Sequence, residues 1–404
     1  MKIFFSVGEP SGDLHGANVI RALRAQRPDL EMVGFGGPRM AAEGCRLLAD
    51  LTQYAVMWFL RVLLNLHRFW TFLGQAKAYF RDHRPDLVVL IDYPGFNFVV
   101  ARLAKRHGIP VVYYGAPQMW AWMPWRVRKM RRRVDRVLCK LPFEEDWYGQ
   151  RGCRATFVGH PFFDETHQRE IDPQFVTSLR SQGEQLVTIL PGSRTQEVQA
   201  NLPSFLDTAA LLRDRLPQVR FVIAAFNEKL AAIAEEQLSG RDLPIEVHVA
   251  KTPELISAAD ACLACSGSVS LELLHHEKPT VILYCVTPAA YVGQRILRRV
   301  KYITLVNLLA SRDPFPRDLS TYDPDAQAAE RVPFPEYLTF RDVTERMANH
   351  LVRWLTNTRE KEAVVAQLRR VKEGFAHPGA SHRAAQLILE HLHKNASASR
   401  SHAA

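Results

Sequence analysis

The sequence predicts an α/β protein made of two doubly wound parallel sheets, one following the other. Three observations carry that expectation. Short apolar runs recur along the chain, and segments with helical apolar spacing separate them. The runs Leu87–Ile91 and Leu186–Leu190 lack the polar alternation of half-exposed strands, as strands covered on both faces do. A unit of strand, glycine turn and helix opens the chain and returns near its middle. A length of 404 residues suits two or three domains, and 47% hydrophobic with 23% charged residues is a soluble, core-forming balance.

In the first half, Lys2–Val7 reads as a strand and Gly8-Glu9-Pro10-Ser11-Gly12 as a turn. Ser11 or Asp13 then caps a helix running through Arg24, with Leu14, Ala17, Ile20 and Leu23 near helical spacing. Glu31–Gly36 is a strand, and Pro38 starts a short helix to about Cys45. Leu87–Ile91 is a central strand that ends at Asp92. Phe98–His107 is a helix, and Val111–Tyr114, Arg136–Leu141 and Ala155–Val158 are strands. Ligands of such sheets sit beyond the carboxyl ends of the strands, where Glu9, Asp92 and His160 fall.

Two stretches in this half look outward. Ala55–Phe80 is rich in Trp, Phe, Leu and Val, including Trp58, Phe59, Leu63 and Phe69. Arg61, Asn65, His67 and Arg68 interrupt it, which argues against a membrane span. The charges gather near one face, the pattern of a helix lying in a membrane interface; a buried helix or a partner-helix surface gives the same pattern. Trp120-Ala121-Trp122-Met123-Pro124-Trp125-Arg126 precedes a basic run ending at Arg133. Aromatics beside cations suit anionic lipid headgroups, nucleic acid, or a solvated basic face with indoles packed beneath it.

The second half begins after a polar connection at about Asp164–Gln185. Leu186–Leu190 is a strand, Pro191-Gly192-Ser193 breaks it, and a helix resumes near Glu197 and runs to Leu216. Backbone N–H groups of Gly192 and Ser193 with the Arg194 guanidinium suit a phosphate; an ordinary strand-to-helix loop has the same composition. Arg220–Ala225, Ile245–Val249, Ala261–Ala264 and Thr280–Tyr284 are strands, with helices at Glu228–Leu238, Pro253–Ala259 and from the Ser266 turn through His275. Ser266, Gly267 and Ser268 offer donors to a diphosphate and Glu272 an acceptor to ribose hydroxyls, or the stretch is simply a capped helix.

Lys301–Asn307 is strand-like, and Asp313–Pro335 is a Pro- and Asp-rich loop. Asp323-Pro324-Asp325 has the spacing of a metal-binding acidic pair, but its central proline reads as a turn. Helical patterns follow at Asp342–Thr356, Lys361–Phe375 and Ser381–Lys394, and Asn395–Ala404 has no apolar anchor and reads as disordered. The domains are therefore 1–165, completed by the C-terminal helices of about 360–394, and 180–357. Two Rossmann-like domains facing each other form a cleft, the default ligand site.

Net charge is +10, favouring an anionic partner. The six cysteines are scattered; Cys262 and Cys265 have C-x-x-C spacing but lie on a strand with no second pair, so buried thiols are expected rather than a metal or redox site. The N-terminus is too short and polar-interrupted for a signal peptide.

Several stretches together resemble one family: V-G-E-P-S-G-D from Val7, G-G-P-R-M from Gly36, V-L-I-D-Y-P-G-F-N from Val89, W-A-W from Trp120, L-P-F-E from Leu141, F-V-G-H-P from Phe157, L-P-G-S-R from Leu190, S-G-S-V-S-L-E from Ser266 and N-L-L-A from Asn307. The family is lipid-A-disaccharide synthase. The resemblance implies a GT-B type glycosyltransferase of Gram-negative lipopolysaccharide assembly that uses no metal and no cofactor. It implies transfer of 2,3-diacylglucosamine from UDP-2,3-diacylglucosamine to 2,3-diacylglucosamine 1-phosphate (lipid X), giving UDP and the β-1,6 disaccharide. It further implies a cytoplasmic enzyme, peripheral on the inner face of the inner membrane, and a homodimer. Asp92, Glu9 and Asn307 match the family's catalytic positions. Gly192, Ser193, Arg194, Glu197, Ser266, Gly267, Ser268 and Glu272 match the nucleotide side. Trp58, Phe59, Leu63, Phe69, Trp120, Trp122, Trp125 and Arg126 then suit a membrane or acceptor surface, with no role for nucleic acid. Where the family has Ala after Glu9 this chain has Pro10, and Tyr93 and Gly95 replace an Ala and an Asp beside Asp92. A UDP-N-acetylglucosamine 2-epimerase on the same double fold is the alternative reading.

Overall fold

The computed structural model describes residues 1–55, 66–181, 184–324 and 332–401. It divides into two units, one of Met1–His167 with His377–Ala404 and one of Gln168–Ala376.

The first unit holds seven strands: β1 (Lys2–Val7), β2 (Glu31–Gly36), β3 (Arg46–Asp50), β4 (Leu87–Ile91), β5 (Val111–Tyr114), β6 (Arg136–Cys139) and β7 (Ala155–Phe157). Their order is β3-β2-β1-β4-β5-β6-β7. Every pairing is parallel. The order reverses between β1 and β4, and in that pair Val7 stands opposite Ile91. The chain therefore leaves these neighbouring strands into the Glu9 turn and into Asp92, side by side at the switch point. β3 has no counterpart among the sequence-based elements, because R-L-L-A-D is a half-exposed edge segment with polar ends.

The last helix, Ala380–Ser401, closes this unit. Ala384, Ala385, Ile388, Leu389 and Leu392 enter the core formed by Ile3, Phe5, Ile20, Leu23 and Val89. Asp164 fixes its start by accepting the N–H groups of Gly379 (2.6 Å), Ala380 (3.1 Å) and Ser381 (2.8 Å). The helix runs on to Ser401, into the stretch from Asn395 that was expected to be disordered, since extending an anchored helix costs little; 402–404 lie outside the described residues.

The second unit holds β8 (Leu186–Leu190), β9 (Arg220–Ala225), β10 (Ile245–Val249), β11 (Ala261–Cys265), β12 (Thr280–Cys285) and β13 (Glu336–Thr339) in the order β10-β9-β8-β11-β12-β13, again parallel. Its switch point lies between β8 and β11, where Leu190 stands opposite Ala264. The Pro191–Arg194 and Ser266–Ser268 turns thus leave adjacent central strands at the carboxyl end of one sheet. The helix Thr358–Phe375 lies in this unit, clamped by Lys361 Nζ to Asp260 (2.7 Å) and by Lys372 and Arg369 to Glu277 (2.9 and 3.0 Å). Only the Ala380–Ser401 helix returns to the first unit.

The strand expected at Lys301–Asn307 is corrected. Glu336 takes the N–H groups of Ile303 (2.8 Å) and Thr304 (3.1 Å), which withdraws them from any ladder, and a helix follows at Leu305–Ala310. β13 fills the sheet edge instead.

Candidate active site

Asp92 follows the last residue of β4 and has a positive φ of 48°, as has Tyr93 at 44°. Two consecutive non-glycine residues in the left-handed region carry strain of about 1–3 kcal/mol each. The surroundings enforce it. The Asp92 carbonyl accepts from Asn97 Nδ2 (2.8 Å) and from the Tyr113 hydroxyl. Asn97, fully buried, also reaches the carbonyls of Ser6 and Ile91 and accepts from Ser6 Oγ (2.6 Å). The Tyr93 ring packs against Gly8, where an added Cβ would fall 2.3 Å from it, so a side chain there would displace Tyr93. The Asp92 carboxylate projects at the strand end, with Lys140 Nζ 3.0 Å from Oδ1. Burial opposes the Lys140 charge, yet Asp92 beside it raises its pKa above the ordinary value.

His15 Nδ1 is 3.1 Å from Glu165 Oε1 in the same unit. Burial, reinforced by Lys140 and His15, pushes the His160 pKa well below the ordinary value. His160 is therefore a neutral imidazole, and its Nδ1 accepts the Phe162 N–H (3.2 Å). Glu9 occupies the N-cap position of the helix Pro10–Gln26, in an extended conformation. Asp13, expected as a cap of that helix, instead caps the next one, Pro38–Ala42, through the N–H groups of Gly37, Arg39 and Met40 (2.8–3.1 Å).

The outward residues divide. Trp58, Phe59 and Leu63 lie outside the described residues. Phe69 faces inward, its ring 6.5 Å from Tyr93 and 6.1 Å from Phe96, so it belongs to the packing behind Asp92 and not to an outer face. Trp120 is also corrected: only 2% exposed, it donates Nε1 to Glu144 Oε1 (2.9 Å). A buried indole needs such a partner. Glu144 serves it while capping its own helix through the N–H groups of Lys140 and Leu141 (3.0 and 3.1 Å). Trp122 and Trp125 remain exposed at 52% and 57%, and Arg126 is partly exposed just before the basic helix Val127–Arg133.

On the second sheet, Gly192 has φ 132° and packs against Glu197, whose Cβ would lie 2.4 Å from an added one. Glu197 turns back over the turn: Oε2 accepts the N–H groups of Ser193 (3.0 Å) and Arg194 (3.2 Å), and Oε1 pairs with Arg194 Nη1 (2.7 Å). Of the donors expected to cradle an anion, the Ser193 N–H is thus satisfied from within the turn, and Arg194, with a side chain 78% exposed, is what the turn presents outward. Gly267 and Ser268 are exposed, with open space around Gly267, while Ser266 Oγ donates to the Ile303 carbonyl (3.3 Å). Glu272 is 8% exposed and paired with Arg169 Nη1 at 2.6 Å, which occupies the carboxylate expected to face ribose.

Asn307 is held within its own unit. Its side chain is fully buried, donating to the Phe334 carbonyl (2.7 Å) and Glu336 Oε2 (2.9 Å) and accepting the Phe334 N–H (3.0 Å). It joins its helix to β13.

Sequence reasoning missed Lys140, Asn97 and Asn201. Asn201 ties its helix to the ends of β11 and β12 through Cys265 Sγ (3.4 Å) and the Cys285 N–H (2.8 Å). A polar residue inside an apolar helical face was the available signal for both asparagines. Among the described residues no cluster of potential metal ligands occurs and no helix is long and apolar enough to cross a membrane.

This pair of parallel α/β sheets defines the double-sheet class shared by sugar-nucleotide epimerases and glycosyltransferases. The chain is similar to a putative UDP-N-acetylglucosamine 2-epimerase from Listeria monocytogenes (TM-score 0.64, 11% identity, 97% of each chain). It is also similar to the calicheamicin glycosyltransferase CalG4 (TM-score 0.59, 15% identity, 97% of this chain and 98% of that one). Those likenesses concern the fold. The sequence is more specific: the family model for lipid-A-disaccharide synthetase matches residues 3–361. The lipid-A-disaccharide synthases of Geobacter metallireducens and Myxococcus xanthus are each 34% identical to this chain. The first match covers 97% of this chain and 98% of its relative, the second 97% of each. The chain belongs to the lipid-A-disaccharide synthetase family and is a glycosyltransferase.

Proposed function

We propose that the chain transfers 2,3-diacylglucosamine from UDP-2,3-diacylglucosamine to the 6-hydroxyl of lipid X with inversion. The acceptor oxygen attacks the anomeric carbon, the bond to the UDP oxygen breaks with its electron pair leaving on UDP, and the hydroxyl proton passes to Asp92. The observation that carries this reading is the strained, braced Asp92 at the switch point of the first sheet, with Lys140 3.0 Å away. Glu9, leaving the neighbouring strand, orients the acceptor. On the second unit, exposed Arg194 with Gly267 and Ser268 meets the diphosphate as negative charge grows on it. Glu272 reaches the ribose by exchanging its Arg169 partner.

Both substrates are diacylated, so the enzyme works as a peripheral protein on the cytoplasmic face of the inner membrane. Trp122, Trp125 and the basic helix after Arg126 support headgroup contact. It acts as a homodimer. Purified protein with UDP-2,3-diacylglucosamine and lipid X in detergent should yield UDP and disaccharide 1-phosphate in equal amounts. Absence of disaccharide with both substrates present would overturn the proposal.

A further inference from the structure

The helix Pro288–Leu297 in the second unit buries none of its residues. Val292, Ile296 and Leu297 are 57%, 66% and 40% exposed. Phe340, 43% exposed just past β13, continues the apolar surface through Tyr291, with ring centroids 5.2 Å apart. Val292 and Ile296 are one turn apart, exposed Arg295 lies three residues on from Val292, and exposed Arg299 follows just past the end of the helix. Arg298 is different. It is buried and donates to the Leu319 carbonyl, bracing the following loop. From Lys278 to Arg312 the chain carries no acidic residue.

We propose that this helix is a second membrane-docking surface that seats the nucleotide-side unit on a bilayer bearing anionic headgroups. Three adjacent exposed aliphatic side chains sink into the acyl boundary, while Arg295 and Arg299 bury their stems and hold their guanidinium groups at phosphate level. Charge complementarity selects the occupant: Asp318 lines a hollow beside Tyr291, Arg295 and Arg298, but the cations Arg295, Arg299 and Lys301 outnumber it, and a net cationic face matches an anionic lipid surface. The surface was not anticipated from the aromatic stretches of the first unit. The inference goes beyond the reading above and holds whichever sugar is transferred.

The test uses the full chain and phosphatidylethanolamine vesicles with and without phosphatidylglycerol. The triple variant Val292→Ser/Ile296→Ser/Leu297→Ser should lower partition onto the anionic vesicles by roughly tenfold or more. Arg295→Gln/Arg299→Gln should lower it by about tenfold at low salt and flatten its salt dependence. Hydrogen exchange of the Pro288–Leu297 amides should slow when anionic vesicles are added to the parent protein. Since the substituted side chains are exposed, melting temperature and turnover in detergent should stay at parental values. Parental partition by the triple variant, or exchange in this helix unchanged by vesicles, overturns the proposal. So does a loss of self-association at unchanged partition, which would make the face a contact between copies. Loss of partition alongside absent disaccharide synthesis in the parent would leave the docking surface standing and remove only the proposed reaction.

Discussion

Lys140 Nζ stands 3.0 Å from Asp92 Oδ1, with the two side chains 20% and 18% exposed. In so sheltered a place each charge depends on the other. The proposed base is thus aimed by a cation from β6's carboxyl end, on a loop that pays for its left-handed backbone with contacts from Asn97 and Tyr113.

Asp92→Asn should lower kcat by about 10²–10⁴-fold, the usual worth of a positioned general base. It also strands Lys140, so stability falls by about 1–3 kcal/mol. The double variant Asp92→Asn/Lys140→Met should regain most of that stability and none of the activity. Lys140→Met alone should lower kcat about 10-fold, since it removes the contact that aims the Asp92 carboxylate. Urea unfolding and steady-state kinetics read the two effects separately; parental kcat in Asp92→Asn would reject the assignment.

Glu144 serves three donors at once: Trp120 Nε1 and the N–H groups of Lys140 and Leu141. Burial raises its pKa, opposed by those donors and by Lys140. Glu144→Ala leaves the donors unmatched in the interior and should cost about 2–4 kcal/mol in urea unfolding. Turnover at low temperature should fall as well, because Lys140 moves with its own N–H. Trp120→Phe, which removes one donor, should cost about 1–2 kcal/mol and leave kcat within a few-fold.

These assignments show what the sequence carried. Leu87–Ile91 and Leu186–Leu190 are legible because strands covered on both faces must be apolar throughout. β3 and β13 were not, because edge strands keep polar ends and short length. Asp92 was legible as the residue that ends a central strand. Its partner was not, since Lys140 reaches it across the sheet from a stretch 48 residues away. At Asn307, Trp120 and Glu272 the residue type did not reveal that the first two are buried and that the third is paired with Arg169. Residue type does not report the partner, which comes only from the packed fold.

Arg194 should bind phosphate without supporting the fold. Its side chain is 78% exposed and its anchor is Glu197, which also holds two N–H groups of the turn. Arg194→Ala should raise KM for the UDP-sugar about 10–100-fold and leave the melting temperature unchanged. Glu197→Ala should differ in kind: loss of the capping contacts should cost about 1–2 kcal/mol of stability and raise KM together. Equal thermal losses in the two variants would mean that Arg194 acts through structure rather than on the ligand.

His276 gives the second unit an acid-sensitive point. Burial, then the neighbouring His275 and the cations Lys278, Lys372 and Arg169, push its pKa down to about 4. The unfolded chain binds that proton near pH 6.5, so between pH 6.5 and 4 the unfolded state holds more protons than the folded one. Its stabilising contribution is therefore complete above pH 6.5 and declines as pH falls through that window. His160, also held neutral by burial, acts in the same sense. Carboxylates elsewhere add their own acid losses, so the informative quantity is the difference between parent and His276→Gln. That variant cannot take up the proton, and by pH 4.5 it should have lost about 1–2 kcal/mol less than the parent, after allowance for partial solvent access. Thermal unfolding at half-unit steps from pH 7 to 4.5 measures it, and parallel curves for the two proteins would show that His276 accepts a proton in the folded state as readily as in water.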